Sequence, residues 1–188
     1  MASPGKQLLE QVYLSPQDLG ARRLYADWLV EQGDPRGELI ALQCARVAGG
    51  WTIASEQREA QLLYEHGRKW LGPFGKYIGG YRFERGFLAA CELTAVTKAM
   101  IGHASWSTVS HFTFRDVDGV EVSTFLSHPV MRSLSEATGV GRTAFFGLCA
   151  SGHGSSLRRL HVVGVEPMPI GRVKSQGGLQ QLQELKFG

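Results

Sequence analysis

Apolar positions recur every three to four residues through the first third of the chain, and this spacing predicts helices. Residues Gly5 to Leu14 place Leu8, Leu9, Val12 and Tyr13 on one helical face, and Ser15-Pro16 ends that run. A second helix is predicted from about Pro16 to Gln32, with Leu24, Trp28 and Leu29 at helical spacing beside Tyr25. Gly33 closes it. Asp34 suits the cap of a third helix, and Pro35 suits its first position, where the amide it lacks would have had no partner. That helix carries Leu39, Ile40, Leu42, Gln43 and Val47 on its apolar side and is broken by Gly49-Gly50. A fourth is expected from Ser55, with Leu62, Leu63, Tyr64 and Trp70 as its buried candidates. Turns this short predict antiparallel neighbours.

Beyond residue 82 the pattern changes to apolar-x-x-apolar-x-apolar. Copies stand at Leu88-Cys91-Leu93, Val109-Phe112-Phe114, Leu157-Leu160-Val162 and Leu182-Leu185-Phe187, with a degenerate one at Met131-Leu134-Glu136. The second anchors (Cys91, Phe112, Leu134, Leu160, Leu185) are 21, 22, 26 and 25 residues apart. Such spacings fit the leucine-rich-repeat period of ~20–29 residues. One short strand with its return segment cannot bury its own apolar face, whereas stacked copies share a continuous core. The expected class is therefore α/β. Residues 1–82 would form a helical unit capping a short, irregular leucine-rich-repeat-like solenoid at 83–188, with four to five coils and a parallel sheet on its concave side. An unrelated α/β packing is the alternative. Two departures from the repeat stand out: no Asn is present to bridge the turn after each strand, and Glu136 falls in an apolar slot.

The pieces Leu24-Tyr-Ala-Asp-Trp-Leu29, Gly33-Asp-Pro-Arg-Gly-Glu38 and Trp70-Leu-Gly-Pro73 resemble a bacterial repeat-companion domain. This family, abundant in myxobacteria and planctomycetes, is often followed by leucine-rich repeats. The resemblance covers roughly residues 5 to 93. The family has no established catalytic activity to carry over, and the resemblance makes Asp27, Trp28, Asp34, Arg36 and Glu38 family-motif residues. Either they fix the helix–turn–helix by capping and a salt bridge, or Asp27, Arg36 and Glu38 form a partner-binding patch; the structural role is favoured.

Composition narrows the function classes. The chain has 188 residues, 43% hydrophobic, with a formal net charge of +3. Lys and Arg are interspersed with Asp and Glu, which argues against nucleic acid or anionic lipid as a partner. No apolar run reaches the ~18 residues of a membrane span. Cys44, Cys91 and Cys149 lie far apart, without a C-x-x-C pair. That usage fits reduced thiols in a cytoplasmic protein.

Candidate chemistry is sparse. Gly139-Val-Gly141-Arg-Thr-Ala144 matches the G-x-G-x-x-A form of a dinucleotide loop. It lacks an acidic partner about twenty residues on, and a repeat turn is the better account; a nucleotide-binding regulator or enzyme using this loop is the alternative function. Gly152-His-Gly-Ser-Ser156 offers a His beside hydroxyls but no orienting acid, and Cys149 with His153 gives too few ligands for a metal. No catalytic, cofactor or metal residue is assigned. The surface between the anchors is expected to carry one row of Glu92, Thr113, Ser135, His161 and Lys186, and a second of His111, Ser133, Arg159 and Glu184. With Arg115 and Arg132 close by, the mixed polar face suits a protein partner, and Arg115, Arg132, Arg159, His161 and Lys186 are its candidate contacts. The chain stops directly after the last strand pattern, from which either self-association through that coil or a longer array is expected.

Overall fold

The computed structural model describes residues 3–151, 156–175 and 177–188. By its internal contacts the chain divides into two compact units: Met1–Gly75 with Phe83–Leu88, and Lys76–Arg82 with Ala89–Gly188.

In the first unit, helices α1 (Pro4–Leu14), α2 (Leu19–Glu31), α3 (Pro35–Val47) and α4 (Ile53–Trp70) follow one another closely. Their starts are set by side-chain caps that satisfy otherwise orphaned amides. Asp18 accepts from the Gly20 amide at 2.7 Å and Asp34 from the Arg36 amide at 2.9 Å. Thr52 and Ser55 cap α4 reciprocally, each side chain accepting from the other's amide at 3.0 Å. These caps correct two boundaries: α2 begins at Leu19 behind Asp18, and α4 at Ile53 behind Thr52. Val12, Tyr25, Ala26, Leu29, Ile40, Cys44 and Phe87 form the core, with Leu8, Leu9, Tyr13 and Trp28 packed against it. Gly37 sits so close to α2 that a Cβ there would lie 2.7 Å from the Ala26 carbonyl oxygen. Three expected core residues face outward instead: Leu24 is 61% exposed, Val47 61% and Tyr64 93%. Leu24 adjoins buried Tyr25 and Tyr64 lies two residues past buried Leu62, each turned to another side of its helix, while Val47 is the last residue of α3.

A six-stranded sheet organises the second unit, with strand order equal to sequence order. The strands are β1 (Ile78–Glu84), β2 (Phe87–Leu93), β3 (His111–Phe114), β4 (Glu136–Val140), β5 (Arg159–Val162) and β6 (Glu184–Phe187). From β2 to β6 every pairing is parallel. Strands β1 and β2 are joined by only Arg85 and Gly86, at φ 52° and 77°. Two positive φ values in a two-residue loop mark the tight hairpin turn whose twist matches that of its strands. The fold is thus mixed α/β with a mostly parallel sheet.

Strands β2 to β5 are each followed by a returning segment: 3₁₀ turns after β2, then helices α5 (Val120–Leu126), α6 (Arg142–Ala150) and α7 (Ile170–Lys174). Alternate strand residues, among them Cys91, Phe112, Phe114, Ala137, Leu160 and Val162, are buried on one face. Trp106, Phe112 and Phe125 meet there at ring-centroid distances of 5.1–5.8 Å, and Trp106 Nε1 donates to the Met100 carbonyl at 2.9 Å. Such edge-to-face contacts add ~0.5–1.5 kcal/mol per pair beyond burial.

Register overturns one anchor. Cys91, Phe112, Ala137, Leu160 and Leu185 are aligned across the sheet, so Ala137, not Leu134, is the buried equivalent in β4, and the spacings become 21, 25, 23 and 25. Leu134 is buried just before the strand, which is why it mimics an anchor. Glu136 consequently leaves the apolar slot.

Candidate functional site

The opposite face of the sheet is polar, and its rows follow from the corrected register. His111, Glu136, Arg159 and Glu184 are consecutive cross-strand neighbours. Glu92, Thr113 and Thr138 form a second row, and His161 faces Lys186 beyond it. Glu136 and Thr138 thereby stand where Ser133 and Ser135 were expected. Two shallow depressions indent the face, one of ≈ 310 Å³ over β1–β3 and one of ≈ 220 Å³ over β4–β6.

Opposite charges are paired along it. Arg115 donates to Glu92 at 3.0 Å. Arg159 donates through Nε and Nη2 to Glu136 at 2.8 and 2.6 Å, while His111 Nδ1 lies 3.5 Å from the other Glu136 oxygen. Lys186 and Glu184 approach to 2.7 Å on the same strand. The hydrogen bond from Lys186 holds the Glu184 carboxyl below its ordinary pKa and, reciprocally, raises that of the amine. The pairs set three carboxylates against three cations, and Arg82 adds one positive charge at the β1–β3 depression; this leaves no strong field of either sign, so the face lacks the long-range attraction that gathers a polyanion. Of the predicted contacts, Arg159, His161 and Lys186 lie in the rows and Arg115 extends from β3 to join them. Arg132 does not. It is exposed in the turn before β4, with its amide bonded to the Val130 carbonyl.

A sequence signal for this register did exist. Ser110 and Ser135 precede β3 and β4, and each donates its hydroxyl to a backbone carbonyl at the neighbouring strand, Ser110 to Ala89 O at 3.0 Å and Ser135 to Ser110 O at 3.1 Å. Aligning Ser110-His111 with Ser135-Glu136 would have placed the strand correctly.

The glycine-rich loop has a different occupant from the phosphate it suggests. Gly139 lies at φ 73° in an irregularity of β4 between Ala137 and Val140, and a Cβ there would strike the Phe114 carbonyl oxygen. Gly141 leaves room for Asp118, whose carboxylate accepts from the amides of Ala144 at 2.8 Å and Thr143 at 2.9 Å. Desolvation pushes the Asp118 pKa up, but the bonds from Ala144, Thr143 and Gly119 outweigh it and hold the carboxyl below its usual value. The N-terminal amides of α6 are therefore already taken by an internal anion.

Among the motif residues of the helical unit, Asp34 caps α3 and Glu38 binds Arg58 through both carboxylate oxygens at 2.7 Å. Arg36 makes no pair with Glu38; its Nε donates to the Gly86 carbonyl at 3.2 Å and its guanidinium lies 4.7 Å from the Phe87 ring centroid. Trp28 stacks on Tyr25 at 6.2 Å, and Asp27 is exposed. All three cysteines are buried and free, and burial raises each thiol pKa, which disfavours the nucleophilic thiolate. Among the described residues no group of three or more His, Cys, Asp or Glu could hold a metal, and no helix is long and apolar enough to cross a membrane. His153 and most of the 152–156 loop lie outside the described residues.

No family model, curated protein or solved structure matches the chain.

Proposed function

We propose that this chain is a non-catalytic protein-interaction module, a repeat-companion unit joined to a short leucine-rich-repeat-like solenoid, and that it binds a protein partner in the bacterial cytoplasm through the polar face of the sheet. The single observation that carries the reading is the in-register polar ladder His111–Glu136–Arg159–Glu184, flanked by Glu92, Thr113 and Thr138 on one side of the sheet irregularity and by His161 and Lys186 on the other, on one face of a sheet whose other face is buried. Sequential strand order with parallel pairing and periods of 21 to 25 residues supports the repeat assignment. Short-range charge pairs and half-buried threonines suit a partner that brings its own mixed polar surface. A nucleotide at Gly139–Ala144 gains no support, because Asp118 fills the amide cradle.

Affinity capture from the native cytoplasm tests this. The wild type is compared with the charge swap Glu136→Arg/Arg159→Glu, which keeps the ion pair but inverts the local pattern. Proteins recovered by the wild type and lost with the swap, at unchanged thermal stability, are the expected result. An identical set from both would remove the face from consideration.

A further inference from the structure

The Asp34–Glu38 motif and the buried Arg22 are not absorbed by that reading. Arg22 is 2% exposed, yet it carries a charge. Burial, then the nearby Arg85, lowers its pKa to about 10, which still leaves it protonated at neutral pH. Each of its three guanidinium nitrogens donates to a carbonyl: Nε and Nη2 to Pro16 at 3.0 and 2.6 Å, and Nη1 to Arg85 at 2.8 Å. Its plane lies 4.8 Å from the Phe87 ring centroid, while Arg36 contacts the same ring at 4.7 Å. Tyr13 and Tyr25 approach that ring at 6.2 and 6.1 Å. Around it, Gln43 accepts from the Gly86 amide at 2.6 Å and donates to the Phe83 carbonyl at 3.2 Å, and Arg36 holds the Gly86 carbonyl. Gly86 itself is at φ 77°, packed so closely on Ile40 that a Cβ would overlap it. Two guanidiniums on one aromatic ring, with three polar side chains reading the backbone of one turn, resemble the recognition of a ligand more than generic packing.

We propose that helices α1–α3 form a socket whose ligand, held in cis, is the turn Arg85-Gly86-Phe87, and that the family-like motif exists to read this turn. Arg36 supplies one recognition arm, Arg22 and Gln43 the others, and Gly37 allows the helix approach that brings them together. The helical unit is then conditional on the hairpin: its helices have no complete core until Phe87 is seated.

Hydrogen exchange with mass spectrometry on the full chain reads this segment by segment. In Phe87→Ala, amides of α1–α3 should exchange at least about 10-fold faster, while those of β3–β5 keep their wild-type rates. Arg36→Lys retains the charge but not the planar fork, and should produce a smaller acceleration in the same helices. Arg85→Asn keeps the carbonyl and tolerates positive φ, so it should change neither set. Unchanged α1–α3 exchange in both Phe87→Ala and Arg36→Lys would overturn the proposal. So would equal acceleration of β3–β5, which would mark Phe87 as a general core residue.

Discussion

Removing the Asp118 carboxylate tests the account of the glycine-rich loop. Asp118→Ala takes away the acceptor for the Thr143 and Ala144 amides at 2.9 and 2.8 Å, together with the Gly119 amide at 2.8 Å. Loss of a helix cap costs ~0.5–2 kcal/mol, and the charge at a helix N-terminus adds ~0.3–1 kcal/mol at an exposed site. Because Asp118 is solvent-exposed, the sum is discounted to about 1–2 kcal/mol. For a chain of 188 residues that lowers the melting temperature by ~2–4 °C per kcal/mol. The pH dependence is the sharper readout. The folded-state pKa of Asp118 is depressed, so its contribution is complete above the unfolded value of ~3.9 and is lost as pH falls through the lower folded value. Thermal unfolding followed by circular dichroism should show a full gap between wild type and variant at pH 7, closing in strong acid. Equal melting temperatures at pH 7, or a gap that persists undiminished in strong acid, would refute the capping role.

Other consequences are equally direct. Gly139→Ala forces a side chain into the left-handed region and onto the Phe114 carbonyl, so urea unfolding should show a loss of roughly 1–3 kcal/mol. Arg22→Leu removes the donors from the Pro16 and Arg85 carbonyls; a lower denaturation midpoint, by about 2–4 kcal/mol equivalent, is expected. Tyr64→Lys, at a side chain 93% exposed, should stay within about 0.5 kcal/mol of wild type in the same assay. Since the α6 amides are occupied by Asp118, nucleotides and dinucleotides should leave the wild-type melting temperature unchanged in a thermal-shift screen, and a ligand-induced rise would reopen the nucleotide-binding alternative.

Helices were the more legible half of this chain, because their spacing and caps are local. Asp34-Pro35 marked the start of α3 directly, and Val12, Leu29, Ile40 and Leu62 emerged buried as their periodicity required. What misled was proximity: Leu24 next to Tyr25, and Tyr64 two residues past Leu62, each offered two apolar residues where a helix face could take one. In the sheet, the apolar-x-x-apolar-x-apolar pattern located β3 and β5, but β4 has Ala137 as its small anchor and an irregular stretch at Thr138-Gly139. The larger Leu134 outweighed Ala137 in the pattern, and the slip of three residues moved Glu136 off the polar face where it pairs with Arg159. Asp118 was not legible at all, since it reaches Thr143 and Ala144 from 25 and 26 residues away. The same holds for Arg22 and Arg36, whose partners at Arg85 to Phe87 lie some fifty to sixty residues downstream. The motif that holds Arg36 was visible but what it grips was not, and Arg22 carried no signal of its own.

The most direct measurement of the proposed binding face is site-specific photocrosslinking in cells that express the chain. A photoreactive residue is placed either at Thr138, on the polar rows, or at exposed Thr124 on α5. The account predicts a discrete protein adduct from Thr138 and none from Thr124. Adducts from Thr124 alone, or none from Thr138 under conditions where the chain captures a protein, would contradict it.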